Sequence, residues 1–256
     1  MIAAIFFAGG LSIALGSPVS NVARALRNDP PSVVTTDVGH VWTFEHASHG
    51  LLRLSTDDSG TTNAIEYAGT ESAPLRLTLD GRKPLNLFFG RSTLQPVPEQ
   101  LRSYADFTAN AALPESSAPA RAMAYALPGG DELILFVDPK SNALREAFYG
   151  RRDTLKREGL IPGGRATPVF RAPVLAKLGG ADYATAGQGT AFLRILVDAL
   201  GGVSKVDVYI SSGDVQLDRI AVAAAARDAF SPATRAGAAV PSVYFARVDF
   251  VRTKPR

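Results

Sequence analysis

Asp58-Ser59-Gly60-Thr61 is the string in this chain closest to a catalytic motif. An aspartic-protease site needs two carboxylates that share one proton, each at the end of an apolar strand. Here Thr56 and Asp57 stand where apolar residues belong, and the string occurs once. Asp, Ser and Gly in this order are turn formers, so the spacing predicts a hairpin turn. His40, His46 and His49 lie near Glu45 and Trp42. His46 and His49 could share a metal with Asp57 or Asp58 across a hairpin. No ligand spacing supports that, and histidines on a strand face are the simpler reading. Gly163-Gly164-Arg165 and Gly187-Gln188-Gly189 lack the lysine of a phosphate loop and the strand-to-helix setting of a dinucleotide site. No Gly-x-Ser-x-Gly is present, so the hydrolase elbow is missing. The chain has no cysteine, which removes disulfides, thiolate metal sites and cysteine nucleophiles. The expectation is a protein that is not an enzyme, with no catalytic residue, no metal and no cofactor.

The elements that carry these residues read mostly as strands. The chain has 256 residues, 46% of them hydrophobic and 20% charged, which suits one or two globular domains. The net charge of +3 is spread along the chain, and the aromatic residues are dispersed at strand spacing. Neither feature suits nucleic-acid binding. Residues 2–15 are apolar or small throughout, and Ala14 and Gly16 offer small residues to a signal peptidase. The expectation is a cleaved export signal over 1–16, with a membrane anchor through 2–23 as the rival. Residues 17–37, holding Pro18, Pro30 and Pro31, read as a linker.

A β-rich domain is expected over 38–160. Strand patterns fall at 41–44, 52–56, 64–68, 75–79, 85–89, 122–127 and 132–137. Asp80-Gly81 and Pro128-Gly129-Gly130 mark two of the hairpins. Short helices are expected at 99–104 and 153–158, and a hinge at Ile161-Pro162-Gly163-Gly164. Beyond it the pattern predicts strands at 190–197, 206–210 and 243–251. A helix is expected over 217–230, capped by Asp214 and ended by Ser231-Pro232. One spacing occurs twice. Leu52-Arg53-Leu54 with Asp57, Gly60 and Ile65 is echoed by Leu193-Arg194-Ile195 with Asp198, Gly201 and Val206. Two ordinary hairpins with similar turns account for it.

The last third carries a more specific string. It runs Ile195-Leu196-Val197-Asp198 with Gly201, then 206–210 with Ser211-Ser212-Gly213, then Leu217-Asp218, Ala221 and Ala225. Phe230-Ser231-Pro232-Ala233, Gly237 and the strand 243–250 follow. This order resembles the periplasmic C-terminal domain of the TonB family. The resemblance implies an α+β fold: a three-stranded antiparallel sheet with one packed helix over 165–256, preceded by the β-rich antiparallel domain. It also implies a periplasmic protein that binds an extended peptide by strand addition, in energy transduction for transport. The implied partners are an outer-membrane receptor or another envelope protein, and inner-membrane motor proteins, with a homodimer as a further option.

The peptide-binding edge is expected along Ser242, Val243, Tyr244, Phe245, Ala246, Arg247, Val248, Asp249 and Phe250. An edge strand offers main-chain groups to an incoming chain. The alternation places Tyr244, Ala246, Val248 and Phe250 on one face and Val243, Phe245, Arg247 and Asp249 on the other. The alternative function is an exported structural or assembly factor of the cell envelope, acting through its N-terminal β-rich domain.

Overall fold

A computed structural model describes residues 4–6, 12–26, 30–46, 50–69, 75–78, 85–87, 89–90, 103–109, 120–127, 129–158, 160–161, 170–177 and 187–251. The chain divides into two compact units, one of residues 1–25 and 42–165, the other of 26–41 and 166–256. The elements run β1 (Ala4–Phe6), β2 (Ser12–Ala14), α1 (Val19–Ala25), β3 (Ser32–Thr36), β4 (Gly39–His46), β5 (Gly50–Thr56), β6 (Thr62–Ala68), β7 (Leu75–Thr78) and β8 (Leu85–Leu87). Then come β9 (Ser103–Ala109), β10 (Ala120–Ala126), β11 (Asp131–Val137), β12 (Leu144–Arg151) and α2 (Arg152–Arg157). β13 (Phe170–Arg171), β14 (Val174–Lys177), β15 (Gly189–Val197), β16 (Val203–Ile210) and α3 (Val215–Ala225) follow. The chain ends on β17 (Ala229–Ser231), β18 (Ala233–Arg235), β19 (Ala238–Val240) and β20 (Ser242–Phe250). The fold is α+β, dominated by antiparallel sheets.

The first unit is built on strands in the order β4-β5-β6-β12-β11-β10-β9 and a smaller sheet of order β2-β1-β7-β8. Alternation gives the large sheet two apolar faces. Ile134, Phe136, Phe148 and the small residues Ala64, Ala122 and Ala124 form one cluster with Leu155 and Ile161. Trp42, Leu54, Ile65, Tyr67, Leu135 and Tyr149 are buried at the intervening positions. Asp57-Asp58-Ser59-Gly60 is the β5–β6 turn. Asp57 Oδ1 accepts from the Ser59 and Thr61 amides at 2.9 and 3.0 Å, and Gly60 takes φ 81°. The protease-like string is thus turn chemistry built around Asp57.

The apolar start of the chain, expected as an export signal or anchor, holds the short strands β1 and β2. β1 pairs with β2 and with β7, and Ile13 is fully buried. Gly16 donates to Thr62 O and Thr62 to Ser17 O, at 2.8 and 2.9 Å. Among the described residues no helix is long and apolar enough to cross a membrane. The expected linker 17–37 holds α1 and β3. Val19, Val22 and Ala23 are buried at i, i+3, i+4 spacing, a helical signal that the prolines outweighed in the sequence. Tyr104, expected in a helix, lies in β9, whereas α2 falls where a helical turn was expected. The hinge at 162–164 lies outside the described residues.

In the second unit β16, β15 and β20 form a three-stranded antiparallel sheet in that order. α3 lies on one face. Leu217, Ala221 and Ala225 pack with Ala191, Leu193, Ile195, Val197, Phe230 and Phe250. Asp214 caps the helix, accepting from the Gln216 amide at 2.7 Å. The helix ends at Ala225, short of the expected 230. Phe230 is drawn into β17, which pairs with β14, and its amide donates to Gly201 O at 2.9 Å. A tertiary pairing thus ends a run whose alanines favour helix.

Candidate functional site

Two short motifs position the three-stranded sheet. Asp198 Oδ1 accepts from the Leu200 and Gly202 amides, both at 2.8 Å, and closes the β15–β16 turn. Gly201 sits at φ 88°, and a Cβ there would lie 2.0 Å from Phe230 O. Only glycine fits this backbone and this approach. The second motif joins β16 to α3. The Asp218 carboxylate accepts from Ser211 Oγ at 2.5 Å and from the Ser212 amide and Oγ at 2.9 and 2.7 Å. Burial works to raise its pKa, but these hydrogen bonds outweigh it and hold the carboxyl below its ordinary value. The Ser-Ser-Gly and Leu-Asp elements are therefore one structural clasp.

β20 is the last strand in the order of this sheet, and its residues alternate as the sequence implied. Tyr244, Ala246, Val248 and Phe250 pack on the helix side. On the other side Phe245 is buried, its ring meeting those of Tyr209 at 5.0 Å and His40 at 4.7 Å, both edge-on. Arg247 and Asp249 are exposed. Asp249 Oδ1 accepts from Thr190 Oγ1 at 2.7 Å and Arg247 Nε at 3.0 Å. Thr190 stands opposite Asp249 in the register, so these groups tie one end of the strand to its neighbour.

Residues 30–41 take part in this domain, which no local pattern indicates. β3 comes within 8 Å of β20, Cα to Cα, without joining its ladder. Arg247 Nη1 donates to Pro30 O at 3.5 Å, and Arg235 Nη2 to Asp37 O at 3.3 Å. His40 is therefore a buried aromatic neighbour of Phe245 within the unit, with Thr35 Oγ1 3.2 Å from its Nδ1. His49 and the His46 side chain lie outside the described residues. Among those described, no group of three metal-ligating side chains occurs.

No curated protein matches the chain. Among solved structures, a cysteine-rich secretory protein from Staphylococcus aureus subsp. aureus Mu50 is similar at TM-score 0.37 and 9% identity. That likeness covers 56% of this chain and 46% of the other, so this chain spans less than half the neighbour's length. Such a slight likeness bears on neither fold nor function. The family model of the Gram-negative bacterial TonB protein C-terminal matches residues 184–251. The matched stretch holds β15, β16, α3 and β20 with the Asp198–Gly201 turn and the Asp218 clasp. Residues 184–251 are a TonB-family C-terminal domain.

Proposed function

We propose that this domain works in the periplasm as a non-enzymatic binding module. It takes an extended peptide of an outer-membrane receptor or another envelope protein by strand addition along β20. The observation that carries this reading is the place of β20 at the end of the sheet order. A terminal strand presents main-chain donors and acceptors on its outer side, and backbone pairing then supplies affinity. Transmission of force from inner-membrane motor proteins would use the same grip. Hydrogen exchange on the full chain, with N-terminal peptides of outer-membrane receptors, tests the reading. Added protection over 242–250 is expected. No change at high micromolar peptide would sink it.

A second reading has its own support. The first unit has its own core and a sheet longer than that of the TonB domain. It would act as an envelope assembly factor, with the TonB domain docking it. Alanine substitutions at exposed residues of the first unit that abolish partner binding would favour this alternative.

A further inference from the structure

The β15–β16 hairpin has a twin in β5–β6, and the twin shows what its outer edge can hold. Asp57 N–H reaches Thr61 O at 3.1 Å, and Asp198 N–H reaches Gly202 O at 2.9 Å. Each aspartate accepts from two amides of its own turn. Leu54 stands opposite Ile65, as Ile195 stands opposite Val206. Arg53 faces Glu66, as Arg194 faces Asp207, and each pair forms an ion pair. Each hairpin also carries a register shift just before its turn. In the twin, the outer side of β6 is filled by antiparallel β12. Phe148 lies opposite Glu66, Tyr149 opposite Ile65 and Gly150 opposite Ala64. The corresponding residues of β16 are Asp207, Val206 and Lys205, and among the described residues β16 ends its sheet.

We propose that β16 is a second strand-receiving edge, taking an antiparallel extended segment of another polypeptide, apolar beside Val206 and Val208 and carboxylate-bearing beside Lys205. The apolar requirement follows from the helix side. Val206 packs on the core, while Val208 stays 39% exposed where an added strand would cover it. The carboxylate follows from charge. Lys205, 2.8 Å from Asp207, keeps its side chain 60% exposed at the sheet margin, within reach of a group on an added strand. Opposite charges placed across a strand pair stabilise it, and like charges oppose it. The proposal shares only the strand-addition mode with the β20 reading, and each can fail alone.

The test uses the full chain and two synthetic peptides that copy Leu144–Arg151, the strand that fills the twin. One carries the change Gly150→Glu, which sets a carboxylate beside Lys205. The other carries Gly150→Lys. Hydrogen exchange should show protection over 203–210, with the Glu peptide binding about five-fold tighter than the Lys peptide. Lys205→Glu in the protein should reverse that preference. Protection confined to 242–250, no protection at millimolar peptide, or equal binding of both peptides overturns the proposal. Protection over 203–210 that rises with protein concentration alone assigns the edge to a second copy of the chain, and overturns the proposed occupant. Receptor peptides that still protect 242–250 in those cases leave the β20 reading standing.

Discussion

In β5–β6 the Arg53–Glu66 pair lies mid-sheet, with Glu146 of β12 on the same face and fully buried. In β15–β16 the Arg194–Asp207 pair lies at a sheet margin, at 3.8 Å and partly exposed. The turns and registers match, so turn chemistry alone makes both hairpins. The surroundings then give one ion pair a second carboxyl and the other a lysine. Burial, and the neighbouring Glu66, push the Glu146 carboxyl far above the usual carboxylate range, against the pull of Arg53. Position in the sheet decides what a repeated motif is worth.

The turn glycines break the likeness most sharply. Gly201→Ala should cost about 3–5 kcal/mol, because it adds a clash with Phe230 O to an unfavourable φ. Gly60→Ala, argued from φ alone, should cost about 1 kcal/mol. Urea denaturation of both variants measures the gap, and equal losses would remove the asymmetry.

The ion pairs come next. Arg53→Ala leaves Glu66 and Glu146 without their cation and should cost about 2–3 kcal/mol. Arg194→Ala should cost at most about 0.5 kcal/mol. Glu146 sharpens the contrast through pH. The folded chain keeps its proton at pH values where the unfolded chain has released it, so stability falls as pH rises above about 4.3. Glu146→Gln should flatten that slope and raise the denaturation midpoint at pH 8; an unchanged slope would reassign the proton. Asp218 has the opposite sign. Its lowered pKa adds stability above about 3.9, lost as pH falls through the folded value. Asp218→Ala should cost about 2 kcal/mol at pH 7 and less as the pH falls through the folded value.

What was legible in the sequence was local. Asp198 and Gly201, the Ser-Ser-Gly and Leu-Asp clasp, the Asp214 cap and the alternation of 242–250 each act within a few residues. What was not legible depends on partners far along the chain. Ala4–Phe6 pairs with Leu75–Thr78, a partner far along the chain that no local pattern names. Phe230 leaves its helix because Gly201 and Val174–Lys177 hold it. Phe245 is covered by His40, which no spacing announces.

The His40–Phe245 contact also bears on how the protein is made. The two rings are separated by about 200 residues of chain. At about 5–20 residues per second on the ribosome, His40 is synthesised roughly 10–40 s before Phe245 exists. The TonB domain therefore cannot complete itself while the chain is growing. The opening segment must be kept soluble through most of translation, until the closing strand arrives to cover it.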